Sequence, residues 1–173
     1  MLNLVKNCAI SYKSLFLCNY VKNQNFIRSF FNYGAFSSCK KELSPEKQAA
    51  KDDALIVDFI AKNSILATKH SSGIYYQVIT PGSGNTVSVN NTVYVTYEGK
   101  LLNGSVFDKS TSTINFPLSN VIAGWQIGIP LIKKGGRIRL IIPSGLAYGN
   151  QSPGAGIPAN SVLDFTVDLI DVK

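Results

Sequence analysis

Apolar residues recur along the chain with two different periods. In "SPEKQAAKDDALIVDFIAK" (44–62), Leu55 with Phe59 and Ile56 with Ile60 repeat at i,i+4, the stripe of a surface helix. Ser44 suits the N-cap, Pro45 the first helical position, and Glu46 the positive helix N-terminus. After residue 72 the period becomes two. "GIYYQVITPGSG" reads as a strand ending in a Pro-Gly turn. "NTVYVTYEGKLLNG" sets Val93, Val95 and Tyr97 on one face against Tyr94, Thr96 and Glu98 on the other. "RIRLIIP" aligns Ile138, Leu140 and Ile142. "VLDFTVDLIDV" points Leu163, Phe165, Val167 and Leu169 inward and Asp164, Thr166 and Asp168 outward. This pattern predicts an antiparallel sheet with one face in water. One short helix is expected at about residues 122–129, between the strands. A twisted sheet wrapped around it is an α+β fold.

That short helix carries Trp125, the single tryptophan, flanked by Gly124 and Gly128. So little bulk beside an indole suggests a face left open at the bottom of a cleft. On this reading the glycines keep side chains away from it. Ile138, Leu140, Val167 and Leu169 read as core.

Charge and cysteine divide the chain. Residues 1–41 hold Lys6, Lys13, Lys22, Arg28, Lys40 and Lys41 and no carboxylate, which accounts for nearly all of the net +7. The remainder is close to neutral, so it lacks the basic face of a nucleic-acid-binding domain and no nucleic-acid partner is expected. Cys8, Cys18 and Cys39 all lie in the same leading segment, so the domain has no disulfide, no thiolate metal site and no cysteine nucleophile. His70, the single histidine, reads as a loop residue and cannot alone make a zinc site. No P-loop, G-x-G-x-x-G or G-x-S-x-G occurs. Neither a metal nor a cofactor is expected.

Residues 1–41 read as a targeting segment, 42–72 as a helix and linker, and 73–173 as the functional domain. "GAFSSCKK" (34–41) is similar to a lipobox, in which cleavage before Cys39 leaves a lipid-carrying cysteine. The place implied is a bacterial cell envelope, with the protein lipid-anchored and facing the periplasm or the exterior. A mitochondrial transit peptide is the alternative, being also basic, serine-containing and acid-poor. A start codon placed too far upstream is a third reading.

Three blocks, "VTYEGKLLNGSVFDKS", "FPLSNVIAGWQIGIPLIKKGGRIRLIIPSGLAYG" and "GIPANSVLDFTVDLIDV", resemble the FKBP-type peptidyl-prolyl cis-trans isomerases over about residues 73–172. The helix before the domain and the Cys-Lys-Lys start are similar to FKBP lipoproteins of Bacteroidetes-type bacteria. The resemblance implies a half-barrel of antiparallel strands curled over the short helix, with a substrate cleft between them. It implies catalytic roles for Tyr97, Phe107, Asp108, Trp125, Tyr148 and Phe165. Substrate contacts are implied for Ile114, Val121, Ile122 and Ile157. Trp125 would be the cleft floor, the Val121–Ile122 backbone would meet the substrate, and the Tyr148 hydroxyl would donate to a bound carbonyl. Partners implied are proline-containing polypeptides and macrolides such as rapamycin, with membrane contact through the lipid anchor alone. The sequence also departs from the family pattern. Ile114 replaces an aromatic residue, and no arginine stands near Thr111–Thr113. The alternative function is a non-catalytic FKBP-like chaperone or peptide-binding module.

Overall fold

The computed structural model describes residues 43–173. Helix α1 (Pro45–Lys62) starts where the caps place it: Ser44 Oγ accepts from the Lys47 N–H at 3.4 Å, and Pro45 occupies the first turn. Strands β1 (Thr68–Lys69), β2 (Tyr75–Thr80), β3 (Thr92–Leu101), β4 (Val106–Lys109) and β5 (Ile114–Pro117) follow. Helix α2 (Ala123–Gly128), β6 (Arg137–Ile142) and β7 (Leu163–Val172) complete the fold. All strand pairs are antiparallel, in the order β1-β2-β6-β7-β3-β4, with β5 also on β3. Register shifts at Gly99/Lys100, Tyr94/Val95 and Val78/Thr80 mark irregularities of the kind that curve a sheet. The expected α+β half-barrel is the architecture found.

The period-two pattern sorts the core. Val93, Val95, Ile138, Leu140, Ile142, Leu163, Phe165, Val167 and Leu169 are all fully buried and enclose Trp125 on α2. Gly124 and Gly128 prove to serve this packing. A Cβ at Gly124 would lie 2.5 Å from Ile142 Cγ2, and one at Gly128 would lie 2.4 Å from Leu140 Cδ2. The glycines let α2 press against β6, and their missing side chains make room for Ile142 and Leu140. The expectation that they hold the indole face open for a ligand is therefore corrected.

The other face of the sheet is wet at Thr96, Glu98, Thr166 and Asp168, which are part-exposed, but not throughout. Helix α1 covers part of it through a second cluster of Ile56, Ile65, Tyr75, Ile141 and Val162, with Phe59 and Ile60 against it. Asp164, expected to point into water, is only 6% exposed. It accepts from Arg139 Nε at 2.9 Å and Nη2 at 2.7 Å, and that guanidinium lies 5.8 Å from the centre of the Phe59 ring. The helix stripe also differs by one position. Ile56 is fully buried but Leu55 is 44% exposed, and the buried row continues instead to Asp52. Asp53 adds a tether, accepting from Tyr75 Oη at 2.9 Å while paired with Lys69 at 2.6 Å. Helix and sheet belong to one compact unit.

Candidate active site

Three aromatic residues that sequence places on three elements meet on the concave side. Tyr97 comes from β3, Trp125 from α2 and Phe165 from β7. Ring centroids lie 5.2 Å apart for Tyr97–Trp125 and 5.3 Å apart for Trp125–Phe165, with planes near perpendicular at 83° and 82°. Phe107 on β4 extends the row, 5.4 Å from Phe165 at 86°. Edge-to-face packing of this kind sets the positive rim of one ring against the negative face of the next.

The row grades from buried floor to open rim. Trp125 and Phe165 are fully buried, and Ile157, Val121 and Ile122 are exposed by 2% or less. Phe107, Asp108, Ile114 and Tyr148 are part-exposed. A ligand arriving from water meets these four first. Trp125 Nε1 is buried with no hydrogen-bond partner among the described residues.

Two phenols and one carboxylate supply the polarity. Tyr97 Oη donates to Asp108 Oδ2 at 2.6 Å, a charge-assisted bond. Burial, then this bond and the Asp108 charge, hold the Tyr97 phenol far above its ordinary pKa. Burial and the Asp108 charge push Tyr148 up to about 12. Both phenols are therefore protonated at neutral pH and can act as donors.

Local chemistry fixes each part. Gly99 on β3 faces Phe165 across β7 and Asp108 across β4. A Cβ there would stand 2.6 Å from Phe107 Cζ and 2.7 Å from Phe165 Cε1, so the missing side chain is what admits both rings. Ser110 fills the gap in strand pairing between β5 and β4: its Oγ accepts from the Tyr97 N–H at 2.8 Å. Gln126 Nε2 donates to the carbonyls of Val121 at 2.7 Å and Ser119 at 3.2 Å, pinning the loop ahead of α2. Ile157 is held in a small turn by Ser152 Oγ, which donates to its carbonyl at 2.7 Å. Phe116 packs edge-on to Trp125 at 6.2 Å. Sequence reading missed Gly99, Ser110, Gln126 and Phe116. Only Phe116 had a local signal, since it shares a strand face with Ile114 by period two.

The structure thus brings Tyr97, Phe107, Asp108, Trp125, Tyr148 and Phe165 to one region, with Ile114, Val121, Ile122 and Ile157 around them. Cys39 lies outside the described residues. Residues 84–170 match the sequence profile of the FKBP-type peptidyl-prolyl cis-trans isomerases. The chain belongs to this family. It is 39% identical over 142 residues to a "Probable FKBP-type peptidyl-prolyl cis-trans isomerase" of Haemophilus influenzae, covering 80% of this chain and 58% of that one. It is 42% identical over 134 residues to the FKBP-type peptidyl-prolyl cis-trans isomerase FkpA of Escherichia coli, covering 74% and 49%. The chain therefore spans about half the length of the curated relatives it matches. Among solved structures, that of Escherichia coli FkpA is similar with a TM-score of 0.64 at 41% identity, covering 74% of this chain and 62% of that one. A peptidyl-prolyl cis-trans isomerase from Pseudomonas syringae gives 0.64 at 33% identity, covering 76% and 98%. Each of the ten residues brought to this region falls within the block matched to the family; α1 and Cys39 fall outside it.

Proposed function

We propose that this chain catalyses rotation about Xaa-Pro peptide bonds in polypeptides, using the cleft formed by Tyr97, Phe107, Trp125 and Phe165. The observation that carries this reading is the perpendicular aromatic row beside the Tyr97–Asp108 hydrogen bond. The barrier to be lowered is about 18–20 kcal/mol and comes from amide resonance. Before proline the two isomers differ by only about 0.5–1 kcal/mol, so speed is the requirement. Lowering the barrier by about 5.4 kcal/mol accelerates exchange about 10⁴-fold.

A twisted amide has lost its resonance and its carbonyl is less dipolar than in the planar form. An apolar wall then favours the twisted form relative to the planar ground state, and a cleft shaped to it lowers the barrier by differential binding. Phe107 and Ile114 at the rim and Ile157 behind them supply the apolar surface. No proton needs to move. Asp108 accepts from Tyr97 and so fixes that ring at the wall. Tyr148 donates to a substrate carbonyl, and its raised pKa keeps the proton on its oxygen. The backbone N–H of Ile122 serves as a second donor to substrate, in the loop whose Val121 carbonyl accepts from Gln126.

The test is a proline-peptide isomerisation assay on the full chain, with an apolar residue before proline. Faster cis-trans exchange, suppressed by rapamycin, is expected. A folded sample that binds the peptide and leaves the rate at its buffer value would support the non-catalytic chaperone or peptide-binding reading instead. For location, we infer a bacterial envelope with lipid on Cys39; the acid-free leader and the small residues before that cysteine support this.

A further inference from the structure

We propose that Asp52, on α1 and outside the block matched to the family, is a positioning residue for Tyr148 that acts through Ser144. Asp52 is fully buried. Its Oδ2 accepts from the Ser144 N–H at 2.8 Å and from Ser144 Oγ at 2.6 Å, while Oδ1 accepts from Gln48 Nε2 at 2.7 Å. A carboxylate is costly to bury, and three donors offset that cost. The neighbouring contacts of α1 through Ile56, Phe59 and Ile60 are apolar and would hold the helix on the sheet without it. What a carboxylate adds is direction. It grips both the backbone N–H and the hydroxyl of one residue, itself 1% exposed.

That residue governs the turn carrying Tyr148. Ser144 opens the short 3-10 segment Ser144–Leu146, and its carbonyl accepts from the Ala147 N–H at 3.0 Å and the Gly149 N–H at 2.8 Å. These two bonds bracket Tyr148. Gly149 takes φ +59, a left-handed turn, and its carbonyl accepts from the Asn160 N–H at 2.7 Å, closing the following loop at its base. Asp52 is thus linked by two hydrogen-bonded steps to the residue next to Tyr148. With Asp52 in place the Tyr148 hydroxyl is presented at a fixed depth. Without it the turn gains freedom and the hydroxyl spends less time where a substrate carbonyl can accept from it.

This inference rests on the proposed isomerase reading, in which Tyr148 contacts substrate. The experiment is a cycle of four full-length proteins: wild type, Asp52→Asn, Tyr148→Phe and the double variant. kcat and KM for a proline tetrapeptide are measured well below each melting temperature. Asp52→Asn is expected to lower kcat/KM about three- to tenfold, Tyr148→Phe by a similar factor, and the double variant no further than Tyr148→Phe alone. Losses that multiply would overturn the proposal, because Asp52 would then act somewhere other than on the Tyr148 hydroxyl. Unchanged activity in Asp52→Asn would overturn it equally. If Asp52→Asn does not fold, Ser144→Ala removes only the 2.6 Å bond and carries the same cycle. If the wild type itself accelerates nothing, the isomerase reading fails, and amide hydrogen exchange still judges the tether. The variant should then exchange faster at Ala147 and Gly149 than wild type, with β3 and β7 unchanged; equal protection at those two amides refutes the link.

Discussion

Gly99→Ala adds one methyl group where two rings cross. Its Cβ would sit 2.6 Å and 2.8 Å from Phe107 Cζ and Cε2, and 2.7 Å from Phe165 Cε1. Carbon atoms prefer separations of about 3.5–4.0 Å, so the rings must retreat by about 1 Å. Phe165 has nowhere to go. It is fully buried, with Trp125 at 5.3 Å and Tyr97 at 6.2 Å. Phe107 is part-exposed and yields outward, loosening its 5.4 Å contact with Phe165. Overpacking of this size costs about 1–3 kcal/mol. The urea midpoint should fall accordingly, with its slope unchanged. The proposed cleft would also lose the edge of its wall. If about 1.4 kcal/mol of that loss reaches the transition state, kcat/KM falls about tenfold. Both readouts are taken under conditions where wild type and variant are fully native. Gly145→Ala serves as the control, since a Cβ there meets nothing within 4 Å and the backbone does not take a positive φ. A Gly99→Ala protein with wild-type midpoint and wild-type rate would show that the two rings are not held against β3 as described.

Two further outcomes are expected. Stability should decline from about pH 10, the ordinary tyrosine pKa, because Tyr97 and Tyr148 keep their protons in the folded state after the unfolded chain has released them. The folded state then binds more protons than the unfolded one, so the slope with pH is negative. For Tyr148 it runs until its own pKa of about 12. Thermal melts across this range should show a shallower decline in Tyr148→Phe than in wild type, and an identical slope would contradict the assignment. The envelope reading predicts that the full chain expressed in bacteria sediments with membranes and that Cys39→Ser releases it, since several acyl chains are needed for stable anchoring. A wild-type protein recovered without lipid in the soluble fraction counts against Cys39.

Much of the fold was legible because its determinants are local. A strand exposes alternate residues to opposite faces, so Val93, Val95 and Tyr97 declared their common face from spacing alone, as did Leu163, Phe165, Val167 and Leu169. Ser44 and Pro45 announced the start of α1 because a helix end leaves N–H groups that a neighbouring side chain can cap. The family blocks carried the ten candidate cleft positions, which lie in one region of the fold. Other features depend on which elements meet, and no local period records that. Whether Gly124 and Gly128 leave room for a ligand or for Leu140 and Ile142 depends on how closely α2 approaches β6. Gly99 looks like an interruption in a strand until Phe107 and Phe165 arrive from β4 and β7. Asp164 follows the polar face of its strand, yet is buried because α1, from the other end of the described chain, covers that side. Asp52 follows the polar pattern of a helix surface, and its partner Ser144 lies 92 residues away. Spacing along the chain specified which face each residue takes; only the assembled structure decided what that face touches, because close packing brings together residues between which the chain keeps no period.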